Sequence, residues 1–225
     1  MPLQITNTSQ LHTTRGTNSI LTGPPKVGKT FSLRTLPGQV LIADVEDGQL
    51  SNRDCDIPAV QITCWDDAKE LLRRLKEDVE FSKYDCIAVD SISELAEIKL
   101  AEELKTNTNK LAAYGVLSAD MTEWLKEMKR LPQHIVFICK YQRNKEGIWQ
   151  PLFPGNNLAE NLFFWMDEIL VMRMVPDAKG KPQRVLQCQS CDEHQAGDRS
   201  GALDFFEPPS LGHIINKIMS GGLQQ

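Results

Sequence analysis

The pattern of apolar and polar positions divides the chain into short apolar runs and longer stretches of helical period. Ser19-Ile20-Leu21-Thr22, Val40-Leu41-Ile42-Ala43-Asp44, Cys86-Ile87-Ala88-Val89-Asp90 and His134-Ile135-Val136-Phe137-Ile138-Cys139 are short and nearly continuous in apolar residues. Such runs predict strands buried on both faces of a parallel sheet. Val60-Gln61-Ile62-Thr63 predicts another short strand. Between them, Ala68, Leu71, Leu72 and Leu75 recur at helical spacing behind Asp66, which is placed to cap that helix. Residues 92–104 and 111–131 read as two further helices, separated by the polar loop 105–110 and stopped at Pro132. A short helix over 158–165 leads into the strand Glu168-Ile169-Leu170-Val171-Met172. Asp177-Ala178-Lys179-Gly180-Lys181 is a turn, and 184–189 alternates as a half-buried strand. Residues 211–219 form a closing amphipathic helix, with Gly221-Gly222 beyond it. Residues 1–17 are polar and predict an arm or an edge strand. Residues 18–225 predict one α/β domain, a mostly parallel sheet flanked by helices with antiparallel edge strands.

Composition narrows the function only slightly. The 225 residues are 41% hydrophobic and 24% charged, as in an ordinary globular protein. A net charge of −5 excludes a globally basic nucleic-acid binder but leaves room for a local basic groove. No apolar run reaches membrane-spanning length, and Met1-Pro2-Leu3-Gln4 does not begin a signal peptide. The six cysteines lack framework spacing, so a reduced cytoplasmic protein is expected.

The chemistry centres on Gly23-Pro24-Pro25-Lys26-Val27-Gly28-Lys29-Thr30, which reads G-x-x-x-x-G-K-S/T. The glycines allow a tight turn that aims backbone N–H groups at phosphate oxygens, and the helix expected over 29–36 adds its positive end. Lys29 would reach the β- and γ-phosphates, and the Thr30 hydroxyl would ligate Mg²⁺. With Phe31 next in line, residues 23–31 are the expected nucleotide-binding set for ATP. Asp90, ending an apolar strand, suits a second Mg²⁺ contact, or simply the cap of the following helix. Glu46, in Asp44-Val45-Glu46-Asp47-Gly48, suits a carboxylate that polarises the attacking water, or an acidic turn.

The order of these motifs, followed by Val136-Phe137-Ile138-Cys139-Lys140 and then Pro154-Gly155-Asn156-Asn157-Leu158-Ala159-Glu160, resembles the ATPase core of RecA-type recombinases. It is most similar to the short phage-encoded RecA-like proteins of the Sak type, associated with single-strand annealing and recombination. The resemblance runs from about residue 18 to 218. It implies a RecA-like fold, Glu46 as catalytic glutamate, and Lys140 where RecA-type proteins carry a γ-phosphate-sensing Gln. It places a second DNA-binding loop over 141–157 and a first near Asn107, Asn109 and Lys110. It also implies Arg199, in Asp198-Arg199-Ser200-Gly201, as a cation inserted into a neighbouring subunit's ATP site, the alternative being a surface turn. Where the Sak-type pattern carries a Lys before that Asp-Arg pair, this chain has Gly197.

The loop has fitting chemistry of its own. Lys140, Arg143 and Lys145 can pair with phosphates, while Tyr141, Trp149 and Phe153 offer faces to unstacked bases. The alternative is a hairpin whose rings pack on its own core. Cys188, Cys191 and His194 are close in sequence, but structural zinc takes four ligands in separated pairs, so a turn with two reduced thiols is expected. The expected function is a DNA-dependent ATPase of phage recombination that uses ATP and Mg²⁺. It would act as a homo-oligomer on single-stranded DNA, with a single-strand-binding protein as working partner, in a bacterial or phage-infected cytoplasm. A nucleotide-gated annealing module with negligible turnover is the alternative.

Overall fold

The computed structural model describes residue 7, residues 15–154 and residues 156–221. The expected arm over 1–17 and Gly155 of the loop segment therefore fall mostly outside the described residues. Five apolar runs become parallel strands: β1 (Asn18–Thr22), β2 (Val40–Asp44), β3 (Ala59–Gln61), β4 (Cys86–Asp90) and β5 (His134–Ile138). They continue one sheet with β8 (Glu168–Pro176), which runs parallel to β1. Next to it, β9 (Pro182–Gln187) and β11 (Phe206–Glu207) extend the edge antiparallel. The order is β11-β9-β8-β1-β5-β4-β2-β3, with the two-residue β10 (Gly197–Asp198) also on β8. Tyr141–Arg143 (β6) and Trp149–Pro151 (β7) form a separate hairpin. The result is a mostly parallel mixed sheet with helices on both faces, a RecA-like P-loop fold.

The central strands β1, β2 and β4 are buried along their whole length because both their faces are covered. On one face, Ile20, Leu41, Ile87, Val89, Phe137 and Ile169 pack under α2 (Trp65–Glu77), α4 (Ile92–Thr106), α5 (Lys110–Met128) and α6 (Asn156–Trp165). On the other, Leu21, Ile42, Ala88, Val136 and Leu170 pack under the segment after the P-loop and under α7 (Leu211–Gly221). Trp65 and Trp124 are buried in the first layer at helix faces, and Trp165 is partly buried against it.

The structure corrects several boundaries. The helix expected over 29–36 is a single turn, α1 (Lys29–Ser32), followed by a 3₁₀ turn, Leu33–Thr35. Its hydroxyls explain the shortening: Ser32 Oγ donates to the Lys29 carbonyl and Thr35 Oγ1 to that of Ser32, so side chains compete with the helix ladder. Thr35 Oγ1 also accepts from Leu211 N at 2.8 Å, docking α7 beneath the P-loop segment. Asp66 does not cap α2. Cys64 is the N-cap, and Asp67 reaches back to accept from the backbone N–H of Thr63 and Cys64. A short α3 (Val79–Ser82), not expected, follows α2. The second long helix stops at Met128, before Pro132.

Candidate nucleotide site and hairpin surface

The P-loop joins β1 to α1, as its sequence requires. Gly23 (φ 146°), Lys26 (φ 62°) and Gly28 (φ 106°) adopt positive φ, which turns successive N–H groups toward the same side and makes an anion-binding concavity. A Cβ at Gly23 would collide with the Met172 carbonyl of β8, so only glycine fits there. Lys29 arches over the loop, with Nζ donating to the Gly23 carbonyl at 2.9 Å and to that of Pro24 at 3.1 Å. Burial lowers the Lys29 pKa, opposed by the charges of Asp90 and Glu46.

Thr30 Oγ1 donates to Asp90 Oδ2 at 2.7 Å. The two residues expected to share a metal are thus side by side. Burial pushes the Asp90 carboxyl up to about 6; Glu46 and Asp44 add to that rise, while the hydrogen bonds from Thr30 and Gln49 oppose it. Asp44 is spent locally, accepting from Gly48 N at 3.2 Å and so shaping the turn that carries Glu46. Ser91 Oγ donates to Glu46 Oε1, which fixes that carboxylate beside Asp90. Asp47 has positive φ and lies exposed on the turn. A Thr hydroxyl beside a buried carboxylate fits Mg²⁺, which keeps several waters and takes few protein ligands beside substrate phosphates. Thr30 and Asp90 would hold it. Sequence reasoning passed over Gln49 and Asn52, which donate to Asp90 Oδ2 and to the Thr30 carbonyl. They lie on a 3₁₀ turn with no motif of its own.

A RecA-like sheet with this loop, and with its threonine bonded to an aspartate at the end of β4, is a P-loop domain of the nucleotide-binding ATPase type. A family described as an AAA domain matches residues 15–200, and the chain belongs to it. No curated protein matches the chain. Among the described residues, no helix is long and apolar enough to cross a membrane.

The other expected site residues lie in two further places. Lys140 follows β5 at the same end of the sheet, but its Nζ pairs with Glu94 at 2.5 Å and Glu97 at 3.1 Å on α4. In this arrangement it is committed to carboxylates rather than free for a phosphate. The hairpin after it is ordered, not a loose loop. Tyr141 stacks on Trp149, with centroids 4.5 Å apart, and lies parallel to His194 at 6.0 Å, while its hydroxyl hydrogen-bonds His194 Nδ1. Tyr141 is therefore committed to protein partners at its face and at its hydroxyl. Phe153, expected to stack bases, is 4% exposed in the main core, so it offers them no face. Arg143 lies over Trp149 at 5.0 Å, and Arg143 and Lys145 are exposed. Asn109 caps α5, and Asn107 donates to Glu103.

Arg199 sits at the opposite end of the sheet. It donates to Asp167 Oδ1 at 3.1 Å and to the Phe164 carbonyl, and Asp167 also pairs with Arg15 and accepts from Asn18 N. Since β1 separates that end from the P-loop by about 16 Å, at roughly 3.3 Å per residue, Arg199 does not face its own nucleotide site. Cys188 is buried while Cys191 is exposed, and no group of three or more His, Cys, Asp or Glu among the described residues is arranged to hold a metal.

The raised Asp90 pKa has a measurable consequence. The native state holds this proton more tightly than the unfolded chain between about pH 4 and 6, so stability falls as pH rises through that window, on the order of 2–3 kcal/mol. We expect nucleotide-free Asp90→Asn to melt above the parent at pH 8 and with it near pH 4. It should also lose the extra thermal stabilisation that Mg²⁺ gives with nucleotide. Equal melting curves at pH 8 would refute the destabilising role of this carboxylate.

Proposed function

We propose that the protein is an ATPase that binds single-stranded DNA and promotes annealing or strand exchange, as its resemblance to Sak-type phage recombination proteins implies. The observation that carries the catalytic part is the adjacency of Lys29, the Thr30–Asp90 pair and Glu46 held by Ser91. Bound Mg²⁺ would neutralise charge on the phosphate chain. Lys29 would turn from the loop carbonyls to the β- and γ-phosphates. Glu46 is positioned to take a proton from the water that attacks the terminal phosphate, and Ser91 keeps it aimed.

Of the residues expected to touch DNA, Arg143, Lys145 and Trp149 retain the exposure to do so. Two cations beside a partly open indole suit a single strand bound through phosphates and limited stacking. A second reading, nucleotide-gated binding with negligible turnover, is favoured by the commitment of Lys140 to Glu94 and Glu97, which leaves the γ-phosphate-sensing position without a free group. A homo-oligomer working with a single-strand-binding protein belongs to the same proposal. In it, Arg199 would serve a neighbour's ATP site from the far end of the sheet, exchanging its Asp167 partner for phosphate.

The test is ATP turnover with and without single-stranded DNA. Lys29→Ala should abolish it and weaken nucleotide binding. Glu46→Gln should bind ATP but turn over about 10²–10⁴-fold more slowly. A parent enzyme that binds ATP without turnover selects the gating reading. A parent that binds no ATP removes both.

For the DNA surface, Arg143→Ala with Lys145→Ala should weaken single-strand binding uniformly across sequences. The salt slope should fall by about 1.4, at roughly 0.7 for each phosphate no longer neutralised. An unchanged slope would exclude this hairpin as the binding surface.

For the subunit junction, Arg199→Ala should bind ATP but lose turnover, and mixing it with Lys29→Ala should restore activity at junctions that pair a sound P-loop with a sound Arg199. No recovery, with mixed assembly shown independently, would confine Arg199 to its hydrogen bonds with Asp167 and Phe164.

A further inference from the structure

The sheet places one more cation at the P-loop, from the side opposite the acidic strand ends. β8 runs parallel to β1, passes Gly23 with its Met172 carbonyl, and continues to Pro176 beyond the end of β1. The chain then turns over Asp177, whose carboxylate accepts from the N–H groups of Lys179 and Lys181, and returns as β9. Arg184 lies on β9 opposite Met174. Its guanidinium reaches back to the P-loop. A Cβ built on Gly28 would stand 3.0 Å from Arg184 Cζ, 3.1 Å from Nε and 3.3 Å from Nη1.

The other arginine of the β8–β9 pair, Arg173, is occupied, donating to Gln187 at 2.8 Å. Arg184 is exposed and has no hydrogen-bond or ion-pair partner among the described residues. An unpaired guanidinium against the second glycine of the motif is placed where loop N–H groups cradle the α- and β-phosphates. The single-turn α1 strengthens the argument, because so short a helix contributes little macrodipole to hold that charge.

We propose that Arg184 binds the α/β-phosphates of the nucleotide in cis, forming the cationic wall of the site opposite Asp90 and Glu46. The inference rests on the P-loop reading above and deepens it by naming the ligand class, nucleoside di- and triphosphates, and the part of the chain gripped. A Cβ at Gly28 would crowd the guanidinium, adding to the positive φ of 106° that already favours glycine there.

The experiment is calorimetric titration of Mg–ADP and Mg–ATP into the parent, Arg184→Ala, Arg184→Lys and Lys29→Ala, with melting temperatures of each nucleotide-free protein. Removing one charge-assisted hydrogen bond predicts about tenfold weaker binding of ADP and ATP alike in Arg184→Ala. Arg184→Lys should recover only part, since an ammonium lacks the planar fork. The nucleotide-free melting temperature should not change, because the side chain packs into no core. If the parent binds ADP and Arg184→Ala binds it equally well, the proposal is overturned while the P-loop reading stands. Weakened ATP with unchanged ADP would place the residue at the γ-phosphate and overturn the α/β assignment. A matching drop in nucleotide-free stability, unrelieved by Arg184→Lys, would make the role structural and overturn it as well. Failure of the parent itself to bind ADP would overturn both readings.

Discussion

The hydrogen bond from Thr30 to Asp90 depends on one constraint, the common register of four parallel strands. Leu21 of β1 pairs with Ile138 of β5, Ile138 with Asp90 of β4, and Asp90 with Asp44 of β2. That row marks the level at which the four strands end, β1 running one residue further. One or two residues beyond it come Gly23, Lys140, Ser91 and Glu46. The P-loop, Asp90 and Glu46 meet because each is at, or just after, the row on its own strand. A one-residue slip of β4 would put Asp90 on the wrong face and break the bond to Thr30.

This convergence is costly to the folded chain. Asp44, Glu46 and Asp90 sit within one acidic group, with Asp90 almost fully buried and its pKa raised for that reason. Lys29 is held among them, its own pKa lowered by burial despite their charge. Sites arranged this way trade stability for chemistry, since the groups that strain the free protein are those a charged ligand would satisfy. The surrounding polar groups limit the strain: Gln49 and Thr30 donate to Asp90, Ser91 donates to Glu46, and Gly48 N donates to Asp44.

The strands and the phosphate loop were legible in the sequence because their signals are local. An apolar run bounded by polar residues is buried wherever it goes, and the glycine spacing of the loop carries its own backbone geometry. Side chains whose role depends on distant partners were not legible. Nothing near Lys140 in sequence announces that Glu94 and Glu97 will claim it. Nor does the hairpin sequence show that His194 will take up the Tyr141 hydroxyl while Phe153 turns into the core. Arg184 reads as one position in an alternating edge strand. Only the pairing of β9 with β8, and of β8 with β1, carries it to Gly28. The length of α1 was misread because Ser32 and Thr35 look neutral to helix propensity, while their hydroxyls bond back to the turn.

The same register explains how the hairpin surface and the carboxylate site are mechanically joined. Ser93 lies in the first turn of α4, two residues after Ser91, which holds Glu46. Its Oγ accepts from Lys140 N at 2.9 Å and donates to the Leu152 carbonyl at 2.7 Å, so one hydroxyl pins both ends of the segment carrying the hairpin. Lys140 adds a second tie through Glu94 and Glu97 on the same helix. Both ties anchor the hairpin to the first turns of α4, next to Ser91, whose hydroxyl donates to Glu46. The parallel rings of Tyr141, Trp149 and His194 pack the two strands of the hairpin against the 188–195 segment. Ring packing of Tyr141 on Trp149, beside His194, thus sets the shape of this hairpin, and Ser93 and Lys140 set where it is anchored.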